Sequence, residues 1–403
     1  MIFQPELETL SRPDLDRLQL DRLRERFGVG SFEELAERPF ATKAQLRDAY
    51  PFGLLAVPLA ECVRVHASSG TRGRPTVVAY TRGDIAVWAD CCARAVAAAG
   101  GGPGTVVHVA YGYGLFTGGL GLHYGAERLG CTVVPASGGN TPRHAQLLAD
   151  FGAEILCCTP SYALAIADHV EDPAALRLRA GIHGAEPWTE GLREEIERAL
   201  RLTAVDIYGL SEVMGPGVSS ECVEARAGAH VNEDHFLVEV VDPETGERVD
   251  DGEVGELVFT TLTKEALPLL RYRTGDLASV TREPCRCGRT LARMSRVVGR
   301  TDDMLIVRGV NVFPSEVERV LTAQPELAPH YRLVVERPHR LDEVTVEAEV
   351  REGESVTDAL GARVRGALEE ALALSARVTL LPPQSIPRSE GKALRVLDRR
   401  SAP

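Results

Sequence analysis

The chain has 403 residues, 44% of them hydrophobic and 26% charged, with a formal net charge of −13 at pH 7. That is longer than one ordinary domain and supplies apolar material for more than one core. A net acidic chain is a poor match for nucleic acid, and no run of 18 apolar residues offers a membrane span.

The acidic start, MIFQPELETLSRPDLD, lacks the apolar stretch of a signal peptide. A cytoplasmic location is therefore expected, with reduced cysteines. Apolar positions three or four apart then predict helices over 14–27, 31–40 and 42–52. From about 105 to 260, short β-branched runs (TVVHVAY, CTVVPAS, EILCCT, TAVDIYG) alternate with helical stretches such as RHAQLLADFG and TEGLREEIERALR. This alternation predicts a largely parallel sheet covered by helices. HFLVEVVDPETGERV reads as a hairpin turning at DPETG, and GELVFTT as the next strand. Beyond about residue 300, helices at 315–323 and 357–374 mix with strands at 331–338, 343–350 and 376–382, enough for a small α+β domain. The polar GRTDD at 299–303 marks the boundary.

The cations are unevenly chosen. Only three of the 45 are lysines, Lys43, Lys264 and Lys392. Composition bias explains the arginines, but a position that keeps lysine is a candidate for work that needs a compact ammonium.

Several segments carry chemistry. HASSGTRGRPTVVAYT (66–81) crowds glycines, hydroxyls and two arginines between β-rich flanks. Such a loop converges backbone N–H groups on an anion, and Arg74 adds charge for polyphosphate oxygens. It is not a Walker A loop, because GxxxxGK[ST] is absent. In DIYGLSEVMGP (206–216), Glu212 offers a hard oxygen ligand suited to Mg²⁺. In RYRTGDLA (271–278), Asp276 in a tight turn can accept hydrogen bonds from a ribose diol, although such an Asp is usually turn chemistry alone. Cys222, His230, Cys285 and Cys287 match a closed tetrahedral zinc site, with His235 as the competing imidazole. The other six cysteines sit among apolar or small residues and are read as small hydrophobes.

Taken in order, HASSGTRGRPTVVAYT, AYGYGLFTGGLGLHYGAERLG, GAEPW, YGLSEVMGPG, YRTGDL, GRTDDMLIVRGVNVFPSEVE and PRSEGKALRV resemble the successive motifs of the phenylacetate–CoA ligase family, within the adenylate-forming superfamily. The resemblance runs from about residue 38 to 398. It implies an α/β fold: a large N-terminal adenylate-forming domain (1–299) with helix-covered sheets, a hinge near 300–303, and a small mobile α+β domain (303–403). It also implies ATP-dependent activation of an aromatic carboxylic acid to acyl-AMP, then transfer to coenzyme A. The same first step would serve a ligase that hands the acyl group to a carrier protein or an amine. Family members are often dimeric, so a homodimer is expected on the same ground.

Residue by residue, the resemblance implies that Ser68, Ser69, Gly70, Thr71, Gly73 and Arg74 cradle the ATP phosphates. Ala185, Glu186 and Pro187 line the adenine site with Tyr208 against the base; Asp206, Gly209 and Ser211 belong to the same nucleotide segment. Asp276 and Arg300 serve the ribose, and Glu212 holds Mg²⁺ as a catalytic group. Lys392 is the catalytic lysine bridging carboxylate and α-phosphate, and Asp302 is the pivot. The family's similar cysteine cluster supports structural Zn²⁺. Tyr111, Phe116, Ser137, Gly138, His183 and Gly184 face the organic acid. Relatives usually carry an apolar aromatic where this chain has His183, so a hydroxy- or amino-substituted benzoate is expected over plain phenylacetate. Lys43 and Lys264 have no role that the sequence argues.

Overall fold

A computed structural model of the protein describes residues 1–68, 75–301, 305–307, 310–337, 342–372, 374–389 and 393–400. Its largest sheet runs, edge to edge, through Val280–Thr281, Arg293–Met294, Ala229–Val231, Gly215–Ser220, Thr203–Leu210, Ala180–Gly184, Ile155–Cys158, Val106–Val109 and Thr132–Val134. The expected parallel pairing holds among the strands from Thr203–Leu210 to Thr132–Val134. At Gly215–Ser220 the chain doubles back and the pairing becomes antiparallel. Strands Ile155–Cys158 and Ala180–Gly184 are buried along their whole length, as a sheet covered on both faces requires.

A second, antiparallel sheet follows the predicted hairpin: Phe236–Val241, Gly255–Thr261, Tyr272–Ala278 and Gly299–Arg300. Beyond it, helices Pro314–Thr322 and Asp358–Leu372 pack on the sheet formed by Arg377–Leu381, Glu343–Val350, Leu327–Glu336 and Val396–Asp398. This part has its own apolar core, including Val317, Leu333, Val346, Val364 and Leu368. None of the helices among the described residues is long and apolar enough to cross a membrane.

Two central helices escape the periodicity argument. Arg82–Ala98 starts at a capping box of Thr81 and Asp84, and its second half, from Cys91 to Ala98, is buried all round, so no polar stripe marks it there. Gly118–Arg128 carries four glycines, two of which admit the neighbouring helix. A Cβ on Gly125 would come 2.3 Å from Cys92 Cβ, and one on Gly121 would meet the Trp88 ring at 2.7 Å. Close backbone approach is what those glycines supply.

The N-terminal segment is tied down by buried charge. Arg94 donates to both carboxylate oxygens of Asp234, at 2.7 and 2.8 Å, to Asn232 Oδ1 at 2.9 Å and to Gln4 Oε1 at 2.7 Å. Arg289 pairs with Glu8 at 2.6 Å, and both are buried. Removing one partner of such a pair strands a charge in the interior. Asp234→Ala should lower unfolding stability by about 3–5 kcal/mol in denaturant titration; a loss below about 1 kcal/mol would contradict this account of the N-terminal anchor.

Candidate active site

The site gathers at the ends of the parallel strands Thr203–Leu210 and Ala180–Gly184, where strand order lets loops from several elements meet. The hairpin Arg64–Ala67/Val77–Tyr80 approaches it. Ser68 closes the hairpin, donating its N–H to the Thr76 carbonyl at 2.9 Å. The tip of the anion loop, with Ser69, Gly70, Thr71, Gly73 and Arg74, lies outside the described residues. Its base is held to the aromatic loop: Ala67 N–H donates to the Leu115 carbonyl at 3.0 Å, and His66 Nδ1 lies 3.0 Å from the same oxygen.

Tyr208 and Asp276 come from different sheets and meet. The Tyr208 hydroxyl donates to Asp276 Oδ2 at 2.7 Å, and its ring stacks on Phe259. Arg300 Nη1 donates to the other oxygen of Asp276, from the position opposite it in the sheet register. Asp206 sits two residues before Tyr208, beside Glu221. Burial and the Glu221 charge push its carboxyl up from the usual range. Gly209 is required sterically, because a Cβ there would lie 1.7 Å from the Gly215 carbonyl oxygen.

Ser211 and Glu212 follow in a buried turn. Ser211 Oγ lies 3.3 Å from Thr117 Oγ1. Glu212 is 4% exposed; its Oε1 has no hydrogen-bond donor among the described residues and lies 3.5 Å from Lys43 Nζ. A buried carboxylate oxygen left without a donor fits a cation. On the other side of the same turn, Lys264 Nζ donates to the carbonyls of Glu212 and Val213, at 2.9 and 3.0 Å. Burial pushes this ammonium down to about 8, with Asp84 and Glu212 acting against the shift. The two lysines without an assigned role therefore both bear on Glu212.

The 184–187 segment also makes contacts within the protein. Ala185 adopts a left-handed backbone (φ 71°). The Glu186 carboxylate is engaged by protein, accepting from Ser161 N–H and Ala393 N–H, both at 2.8 Å. It thus ties down the residue that follows Lys392. Lys392 and Asp302 themselves lie outside the described residues. Further bonds join the C-terminal part here: Glu318 accepts from Thr189 N–H at 3.0 Å, and Arg351 grips Glu195 through bonds of 2.7 and 2.8 Å. Trp188, next in the chain, has the guanidinium groups of Arg193 and Arg296 over its ring, at 5.1 and 5.0 Å.

Tyr111 and Phe116 form an aromatic corner, their rings 6.3 Å apart and tilted by 46°. The Tyr111 hydroxyl reaches the Gly184 carbonyl at 3.4 Å. Ser137, in a left-handed backbone (φ 66°), donates its N–H to the Val109 carbonyl and begins the loop with Gly138. His183 is not part of this corner. Its neighbours in the strand, Ile182 and Gly184, bracket a side chain that turns to the opposite face of the sheet. There it packs edge-on against Trp188, with Nδ1 3.0 Å from the Cys158 carbonyl, and it is fully buried. Strand alternation decides this, and it removes the ground for a polar-substituted benzoate.

The cysteines and histidine named from the sequence converge. The ligand atoms of Cys222, His230, Cys285 and Cys287 all lie within 4.8 Å of one another. Cys222 Sγ and Cys285 Sγ are 3.8 Å apart, and Cys287 Sγ lies 3.5 Å from His230 Nε2. Tetrahedral Zn²⁺ with Zn–S bonds of about 2.3 Å separates sulfurs by about 3.8 Å, so the donor set fits. His230 Nδ1 faces the Ser220 carbonyl at 3.3 Å, an outer contact that orients a ligating imidazole. His235 is engaged elsewhere, with Thr263 and Asp234.

Comparison with known proteins agrees with this geometry. A family model described as AMP-binding enzyme matches residues 55–262, and one described as AMP-binding enzyme C-terminal domain matches 309–400. The phenylacetate–coenzyme A ligase of Thermus thermophilus is 52% identical over 99% of this chain and 100% of its own. The chain belongs to the phenylacetate–CoA ligase family. The Escherichia coli phenylacetate–coenzyme A ligase is 49% identical over 98% of this chain and 97% of its own. As a member of that family, the protein is an AMP-forming acid–thiol ligase: it activates a carboxylic acid as acyl-AMP and transfers the acyl group to coenzyme A. Carrier-protein or amine delivery gives way to CoA.

Solved structures place the ligase's pose. A 2-hydroxyisobutyryl-CoA ligase in its postadenylation state matches with TM-score 0.89 and 28% identity, over 98% of this chain and 92% of its own. The same enzyme with CoA in its thioesterification state matches at 0.72. The arrangement of parts here is nearer the former.

The buried imidazole gives a test. Burial holds His183 neutral, pushing it down to about 4, and the nearby Arg193 charge acts the same way. An unfolded histidine titrates near 6.5, so the folded state binds fewer protons between these values. The stability contributed by neutral His183 is complete above about pH 6.5 and is lost as pH falls toward 4. The thermal-midpoint gap between the ligase and His183→Asn should be largest at pH 7 and shrink toward pH 4.5; a gap that widens on acidification would refute the assignment.

Proposed function

We propose that the acid is phenylacetate or a close arylacetate. The reading is carried by near-full-length identity of about half with ligases named for that acid, together with the aromatic corner of Tyr111 and Phe116. The strand alternation that turns the His183 imidazole onto Trp188 supports it.

In this reading the loop 68–74 holds the triphosphate through backbone N–H groups, hydroxyls and Arg74. Tyr208, Ala185, Glu186 and Pro187 border the adenine; Asp276 and Arg300 orient the ribose, and Asp206, Gly209 and Ser211 complete the strand end. Glu212 holds Mg²⁺, which neutralises phosphate charge when bound. Ser137, Gly138 and Gly184 shape the acyl site. The acid's carboxylate attacks the α-phosphate, releasing pyrophosphate, and Lys392 neutralises the oxygens brought together. Residues 1–299 and 303–403 act as two units, and a pivot at Asp302 then admits the CoA thiol, which displaces AMP.

ATP–pyrophosphate exchange over a panel of acids tests the substrate. Phenylacetate should exceed salicylate, anthranilate and hydroxyanthranilate at least tenfold in kcat/KM, and any of those three ahead of it would overturn the choice.

The Cys222, His230, Cys285 and Cys287 cluster holds structural Zn²⁺, tying the loop after Gly215–Ser220 to the turn at 285–287 with no part in chemistry. Elemental analysis should find about one zinc per chain, reduced below half in Cys285→Ser; equal contents in both proteins would reject the site.

A further inference from the structure

Lys264 is fully buried in a chain that has otherwise turned its cations almost wholly to arginine. No carboxylate lies within ion-pairing distance of its ammonium among the described residues. Asp84, the nearest counter-charge by electrostatic influence, is committed to the N–H groups of Glu265 and Ala266. What the ammonium does touch is backbone: the carbonyls of Glu212 and Val213, with the Tyr80 ring centroid 4.9 Å away. The Tyr80 hydroxyl takes the flanking carbonyls, Ser211 at 3.2 Å and Met214 at 2.9 Å. Four successive carbonyls of one turn are thus drawn inward to one tyrosine and one lysine.

A carbonyl-lined hollow holding a compact charge is the coordination chemistry of a monovalent cation. Carbonyls pulled to one side leave the Glu212 carboxylate on the other, where Lys43 stands 3.5 Å away. A guanidinium is larger than the ammonium, and its planar fork suits a carboxylate better than adjacent carbonyls of one turn. An apolar side chain would leave two buried carbonyls unpaired.

We propose that Lys264 is a positioning residue, a tethered internal cation standing where a free monovalent ion would otherwise be needed to set the Ser211–Met214 turn and so aim Glu212 for the adenylation step. This rests on the role given to Glu212 above. The lysine touches no reacting atom; it acts through the turn.

Chemical rescue tests it. Lys264→Ala should lose at least tenfold in the kcat of ATP–pyrophosphate exchange with KM for the acid changed less than threefold. Ammonium or methylammonium, but not tetramethylammonium, should restore at least tenfold in a saturable manner. Lys264→Met, which fills the hollow, should lose as much and recover nothing. Independently of activity, ammonium should raise the thermal midpoint of Lys264→Ala and leave those of Lys264→Met and the parent unmoved. Loss below tenfold in either folded variant overturns the proposal, as does a folded Lys264→Ala that ammonium neither reactivates nor stabilises. If Lys264→Ala does not fold, Lys264→Met decides on the same tenfold criterion. The parent runs alongside: absence of exchange in the parent would count against the adenylation reading itself, while an active parent with unaffected variants removes Lys264 alone.

Discussion

The candidate site depends on one close backbone approach. At the end of Thr203–Leu210 the chain reverses into Gly215–Ser220, and the Gly215 carbonyl passes where any side chain on Gly209 would stand. That reversal ends the parallel part of the sheet and begins the antiparallel part. It also forces a buried turn at 211–214, whose carbonyls cannot reach water and must find donors inside. Tyr80 and Lys264 supply them. Tyr208, just before the reversal, is left facing the second sheet, where Asp276 and Arg300 receive it.

The interior shows why the two cations are not interchangeable. Four buried arginines face carboxylates: Arg94 with Asp234, Arg193 with Glu221, Arg271 with Glu239, Arg289 with Glu8. Arg94 and Arg271 each reach both oxygens of the carboxylate, fork to fork. Lys264 instead faces two adjacent carbonyl oxygens of one turn, both met by a single compact group. The arginine bias of the composition thus has a structural counterpart, and the exception falls at the site.

Much of the fold was readable from periodicity and order of elements. The alternating strands and helices from 105 to 210 and the separate α+β part beyond 305 stand where apolar spacing put them; of the hairpin at 235–249 the turn stands, but Phe236–Val241 takes Gly255–Thr261 as its strand partner. The misses have physical causes. The second half of Arg82–Ala98 is covered on every side, so burial erased its stripe. Gly121 and Gly125 serve helix packing, a contact with a partner about 30 residues away along the chain that no local pattern reveals. The Cys–His cluster was legible because its residue types have few other reasons to gather, yet the choice of His230 over His235 needed the sheet.

The sequence by itself determined the family, the nucleotide-handling motifs and the chemistry they share, because those rest on short segments whose residue types are demanded locally by phosphate, ribose and metal. Tertiary structure alone decided which side of the sheet each strand residue serves, since a period of two is ambiguous until both faces are built; His183 went to the Trp188 face for that reason. It also decided the use of side chains whose partners are remote. Glu186 binds backbone of the C-terminal part, and Lys43 and Lys264 enclose Glu212 from segments more than 200 residues apart in the chain, a convergence made only when the sheets close around the turn.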